Sequence, residues 1–139
     1  MSAKYLLDTN ILSEPLRPSP HVKILEHLQR HQDELAIATI VWHELLFGCY
    51  RLPASERRSI IENYLFQVVA PTITMFPYDE RAAEWHALER ARLTGIGKTP
   101  SFADGQIAAI ARTNDLILIT INTADYSSFN GLQLEDWRR

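Results

Sequence analysis

Four acidic side chains stand where acids are costly or conspicuous: Asp8, Glu44, Asp104 and Asp125. Asp8 closes the apolar run 5–7 and is followed by Thr9-Asn10. Glu44 has Ile40, Val41, Phe47 and Gly48 as its three- and four-residue helical neighbours, so periodicity places it on an apolar stripe. Asp104 shares a helical row with Ile107, Ala108 and Ala111. Asp125 follows the apolar stretch 116–121, in a loop that also carries Thr120 and Asn122. A carboxylate on a core-facing row is expensive unless it is paired, hydrogen-bonded or metal-bound. Four carboxylates within ~4 Å of one another would repel by about 4 kcal/mol per pair at an effective dielectric of ~20. A hard divalent cation relieves that repulsion, and Mg²⁺ or Mn²⁺ favours oxygen ligands and keeps waters for chemistry. Such a centre activates water for in-line attack on a phosphodiester and shields the charge on the leaving oxygen. Converging, the four acids would make a metal-dependent nuclease.

Each acid also has a local explanation. Asp8 can cap the turn that follows it. Ser101 and Asp104 have the spacing of a capping box, and an acid in a first helical turn suits the helix dipole. Glu44 can sit at a partly exposed stripe edge or pair with an arginine. An Asx turn accommodates Asp125.

The elements that must position these acids alternate. Short apolar runs at 5–7, 35–38, 72–76 and 116–119 read as buried strands, with a last edge strand at 132–134. Between them, helices are expected over 11–16, 21–31, 40–51, 54–69, 79–93 and 102–113, with Thr39 and Ser101 as caps. Residues 94–100 form a loop. The pattern predicts an α/β fold, a three-layer α/β/α sandwich around a central parallel sheet. With no repeat and no linker, residues 1–139 are expected to form one domain. In open parallel sheets ligands sit beyond the carboxyl ends of the strands, where Asp8 and Asp125 fall.

Composition narrows the classes. With 46% hydrophobic and 22% charged residues over 139 positions, the chain is a folding sequence, not a disordered one. A net charge of −3 disfavours a protein that grips nucleic acid mainly by neutralising phosphates. No segment approaches the ~20 apolar residues of a membrane span, and Asp8 interrupts the first apolar run, so neither a membrane protein nor a signal peptide is expected. The single Cys49 rules out an internal disulfide and fits the cytoplasm. His43-Glu44 lacks the second histidine of a zinc-protease motif, because position 47 is Phe47. Gly97-Lys98-Thr99 imitates the end of a phosphate loop but follows a helix and lacks the earlier glycine, leaving Lys98 as a candidate phosphate contact.

At these residues the chain resembles the PIN-domain ribonucleases, in particular the VapC and FitB-like toxins of bacterial toxin–antitoxin pairs. The resemblance is carried by Leu7-Asp8-Thr9-Asn10-Ile11-Leu12-Ser13-Glu14, by Glu44 with Leu45 and Gly48, and by the run from Ala103-Asp104-Gly105 to Ala111. It continues through Thr120-Ile121-Asn122-Thr123-Ala124-Asp125-Tyr126 and the ending Gly131 to Trp137, so it spans about residues 4–137. It implies an endoribonuclease toxin acting on RNA with Mg²⁺ or Mn²⁺, a homodimer, and inhibition by a cognate VapB-like antitoxin. The metal and catalytic positions it implies are Asp8, Glu44, Asp104 and Asp125, with Thr120 and Asn122 in support. Relatives place the fourth acid at either the Asn122 or the Asp125 position; only Asp125 is charged here. Relatives often carry Phe where this chain has Tyr126.

Two other functions fit parts of the pattern. A phosphatase could use Asp8 as its nucleophile, but the second acid expected two residues on is replaced by Asn10. A non-catalytic PIN-like protein could use the acidic pocket only to accept the basic tail of a DNA-binding, antitoxin-type partner.

Overall fold

A computed structural model describes residues 2–139. Five strands form one all-parallel sheet: β1 (Tyr5–Leu7), β2 (Leu35–Ala38), β3 (Thr74–Phe76), β4 (Ile117–Ile119) and β5 (Leu134–Glu135). Their spatial order is β3-β2-β1-β4-β5. The chain therefore builds outward from β1 through β2 to β3, then returns to place β4 on the other side of β1. This reversal between β1 and β4 opens a crevice at their carboxyl ends, the usual ligand position of such sheets. Register is set by Leu6 opposite both Ala36 and Leu118, and by Leu7 opposite Ile119. Every residue of β1 and β2 is buried, which is why those strands read as unbroken apolar runs.

The helices that cover the sheet are α1 (Thr9–Leu12), α2 (Val22–Arg30), α3 (Thr39–Tyr50), α4 (Glu56–Asn63), α5 (Ala70–Thr72), α6 (Glu80–Gly95), α7 (Phe102–Thr113) and α8 (Thr123–Tyr126). The three-layer parallel α/β architecture expected from the sequence is the one observed. Local chemistry sets several helix starts. Asp79 caps α6 by accepting from the Ala82 N–H at 2.9 Å, and Ser101 caps α7 by accepting from the Asp104 N–H at 3.1 Å. Gly97, at a φ of 74°, ends α6, and the Lys98 N–H closes on the Leu93 carbonyl at 2.7 Å. The Gly97-Lys98-Thr99 stretch is thus a helix terminus and not a phosphate loop.

Other boundaries differ from expectation. The helix expected over 11–16 is two pieces, α1 and a 3₁₀ turn at Glu14–Leu16, because Asp8 starts it early and Pro15 has no N–H to continue it. The helix expected over 54–69 starts at Glu56, capped by Ser55, widens to a π turn over Tyr64–Val69 and continues into α5. That extension delays β3 to Thr74. Thr39 is the first residue of α3 and not its cap. The edge strand expected at 132–134 pairs with β4 through Leu134 and Glu135. The short helix α8, inside a stretch that reads as a turn, was not legible in the sequence.

Trp137 is buried edge-on against Tyr5, with ring centroids 5.1 Å apart, and fastens the end of the chain to β1. Glu89, also buried, takes a two-pronged bond from Arg92 at 2.9 and 3.0 Å and the Asn130 N–H at 2.7 Å. Chiefly the Arg92 bonds hold its carboxyl below the usual glutamate range, against the effect of burial. A carboxyl depressed in the fold stabilises above its unfolded pKa, and that stability is lost as pH falls through the folded value. Glu89→Gln should therefore melt at a lower temperature than wild type at neutral pH. Thermal melts taken below the ordinary glutamate value of 4.5 should bring the two proteins together. A constant difference across that range would count against this role.

Candidate active site

Asp8 follows β1 and Thr120 follows β4, so the two meet at the switch point of the sheet. Oδ1 of Asp8 accepts from the Thr9 N–H at 2.9 Å, and Oδ2 accepts from the Thr120 hydroxyl at 2.9 Å. Thr120 Oγ1 in turn accepts from the Asn122 N–H at 3.0 Å, which bends the chain into α8. Asp8 is both the helix cap of its local reading and a buried charge at the crevice. Burial pushes its carboxyl above the ordinary value, the bonds from Thr120 and Thr9 pull it back, and the Asp104 charge raises it again.

Asp104 stands in the first turn of α7, half-buried. Only half of the expected capping box forms. Its N–H bonds Ser101, but Oδ1 of Asp104 accepts from the Tyr126 hydroxyl at 3.1 Å. Tyr126 is buried beneath the acids, and burial, then the charges of Asp8 and Asp104, push its phenol far up. It is therefore a hydrogen-bond donor at neutral pH. Asp125 precedes Tyr126 on α8 and is exposed. Asn122 is exposed at the start of α8, and its side chain makes no cap bond.

Glu44 stands on α3, with Oε2 3.5 Å from the hydroxyl of Thr9, the residue after Asp8. Its placement on a core-facing stripe is corrected: Glu44 is exposed and Phe47 is 60% exposed, whereas Val41 and Cys49 form the buried face. Apolar residues run around the whole of α3, so periodicity alone could not choose the buried side. The tight convergence of four carboxylates is also corrected. Asp104 lies near enough for its charge to raise the Asp8 carboxyl, Asp125 shares a cleft with Asp104, and Glu44 approaches Thr9 beside Asp8. Among the described residues no group of three histidine, cysteine or acidic side chains is closed enough to hold a metal.

None of the four acids is neutralised by an ion pair: six ion pairs occur among the described residues, and none involves Asp8, Glu44, Asp104 or Asp125. Two neighbouring carboxylates with hydroxyl partners and no ion-paired base among the described residues form a hard-oxygen donor set suited to a divalent cation. An open cleft of about 440 Å³ runs past Asp104 and Asp125 and is also lined by Lys98, Thr99, Ser101 and Ser128. A larger, more apolar cleft of about 560 Å³ lies by Leu12, Leu28, Tyr64, Val68 and Ile73 and touches none of the four acids. The chemistry, not the volume, marks the site.

Sequence reasoning missed two supports. Gly105 lies against His86 of α6, whose Nδ1 is 2.8 Å from the Tyr78 hydroxyl and whose Nε2 has no partner among the described residues. A glycine inside the apolar helix α7 was the available signal of that close approach. The hydroxyl of Tyr126 was visible only as a departure from Phe.

Residues 5–128 match the family model of the PIN domain. The chain belongs to the PIN-domain family. A tRNA(fMet)-specific endonuclease VapC from Shigella flexneri is 30% identical over 135 residues, covering 96% of this chain and 98% of that protein. Toxin FitB from Neisseria gonorrhoeae is 30% identical over 135 residues, covering 95% and 97%. A solved structure of FitAB bound to an IR36 DNA fragment aligns with a TM-score of 0.89 at 27% identity, covering 97% of this chain and 96% of that one. These matches run nearly end to end along both chains. Among the described residues, no helix is long and apolar enough to cross a membrane.

Proposed function

We propose that this PIN domain, taken as one unit over residues 1–139, is the toxin of a toxin–antitoxin pair and cuts RNA phosphodiester bonds as an endoribonuclease. The observation that carries the reading is the nearness of Asp8 and Asp104 at the β1/β4 switch point, with neither in an ion pair among the described residues. Similarity to VapC and FitB supports it. Asp8 and Asp104 would hold Mg²⁺ or Mn²⁺, and Glu44, beside Thr9, and Asp125, in the cleft with Asp104, would complete the acidic and catalytic set. Thr120 acts through Asp8, and Asn122 through the turn that carries Asp125. A bound divalent cation supplies positive charge to the phosphate in flight and a more acidic water.

The residues do the positioning. Asp8 is held rigid at both oxygens, so its carboxylate does not swing when substrate arrives. Asp104 is anchored to α7 and to Tyr126. Lys98 lines the cleft beside Asp104 and can pair with a phosphate next to the scissile one. The net charge of −3 makes substrate capture weak without the cation. In the cell, a homodimer in the cytoplasm is inhibited by a VapB-like antitoxin whose basic tail covers the acids.

Purified protein incubated with RNA should cleave it in Mg²⁺ or Mn²⁺, stop on addition of EDTA and resume when metal is restored. Proton competition at the Asp8 carboxyl gives the pH behaviour its sign: the half-saturating Mn²⁺ concentration should fall as pH rises through the raised Asp8 value. Cleavage that persists in EDTA would sink the metal-dependent reading. An inert chain that still binds a basic antitoxin tail would support the non-catalytic alternative.

A further inference from the structure

Tyr126 is one of the largest fully buried side chains of the protein. Its ring packs beside Phe129, with centroids 6.4 Å apart, and a phenylalanine would serve that contact equally well. The hydroxyl needs a separate explanation, because burying an unpartnered one costs about 1–3 kcal/mol. It donates a hydrogen bond to Oδ1 of Asp104, at 3.1 Å, and also lies near enough to Asp8 to favour that carboxylate. From the other side of that bond, Tyr126 is the only donor to the Asp104 carboxylate among the described residues. Oδ2 of Asp104 has no hydrogen-bond partner among the described residues, whereas both oxygens of Asp8 are held. Two carboxylates side by side repel, and a half-buried aspartate with no donor can rotate away from its neighbour.

We propose that Tyr126 is a positioning residue of the acidic site: its buried hydroxyl tethers one oxygen of Asp104 and keeps the other available beside Asp8, so the pair is set for a divalent cation before one arrives. This rests on the metal site proposed above. Outer hydrogen bonds of this kind orient metal-ligating carboxylates, and their loss typically weakens metal binding by roughly 10- to 100-fold. The hydroxyl plays no part in contacting RNA, so its effect is confined to the metal.

Calorimetric titration of Mn²⁺ into the full chain tests this with Tyr126→Phe and Tyr126→Leu, which both remove the hydroxyl but disturb packing differently. Both variants should raise the Mn²⁺ Kd by roughly tenfold or more. Excess Mn²⁺ should restore cleavage in Tyr126→Phe, with the half-saturating RNA concentration unchanged. Melting curves in EDTA separate a packing role: a lower Tm with the wild-type Kd overturns the proposal. So does a weakened Kd in Tyr126→Leu alone, which traces the effect to packing. Wild-type protein that takes up no Mn²⁺ refutes the metal site itself, and the proposal with it.

Discussion

Asp8→Asn should lose RNA cleavage by roughly a thousandfold while folding at least as stably as wild type. The first part follows from position. Asp8 is the acid at the carboxyl end of β1, fixed by Thr9 and Thr120 and next to Asp104. A neutral amide there weakens the hold on a cation that supplies several kcal/mol of transition-state charge stabilisation, and each 1.36 kcal/mol is about tenfold in rate. The second part follows from electrostatics. Burial raises the Asp8 carboxyl above its ordinary value of 3.8. An acid raised in the fold contributes stability below its unfolded pKa and loses that contribution as pH rises through the folded value. At neutral pH the ionised Asp8 therefore costs stability, which the amide recovers. Asparagine still accepts from the Thr9 N–H and offers a donor to the Thr120 oxygen. Cleavage assays in Mg²⁺, paired with thermal melts in EDTA, read both effects. An active Asp8→Asn protein would remove Asp8 from the chemistry. An inactive one that melts well below wild type would mean that activity was lost through unfolding.

Gly105→Ala should destabilise the protein by about 3 kcal/mol, lowering Tm by roughly 10 °C. Helix propensity predicts the opposite sign, since alanine in a helix interior is better than glycine by about 1 kcal/mol. Packing overrides propensity here. A Cβ at Gly105 would press on Nε2 of His86 and lie 2.6 Å from its Cδ2. His86 cannot retreat easily: it is 2% exposed, bonded to Tyr78 and packed at a tilt against Phe102 with ring centroids 4.9 Å apart. Relief requires α6 and α7 to separate, and the neighbouring residue on α7 is Asp104. The variant should consequently bind Mn²⁺ more weakly than wild type. Gly48→Ala is the control, because nothing lies within 4 Å of a Cβ there. It should match or exceed wild-type stability. Equal stabilities for the two variants would show that His86 does not clamp α7.

How much could be read beforehand depended on the range of the interactions. The strands β1, β2 and β4 announced themselves because strands buried on both faces are continuously apolar. The helices α6 and α7 were bounded by Asp79 and Ser101, whose cap bonds reach only three residues. Where the deciding interaction was not local, sequence reasoning drifted. The apolar circumference of α3 concealed that Glu44 faces solvent. The hydrogen bond that starts α8 is donated by the Asn122 N–H to Thr120, whose own hydroxyl proton is committed to Asp8 at the far end of the chain.

The sequence by itself determined the alternation of strands and helices, the PIN-domain resemblance and the four acids, because side-chain type, periodicity and capping are properties of neighbouring residues. Only the tertiary structure decided which acids meet. The strand order β3-β2-β1-β4-β5 sets the ends of β1 and β4 side by side and brings Thr120 to Asp8. The fold lays Tyr126 under Asp104, seats His86 against Gly105, and leaves Glu44 and Asp125 as outer members of the set. These contacts join residues distant in sequence, through burial and hydrogen bonding that no local pattern encodes.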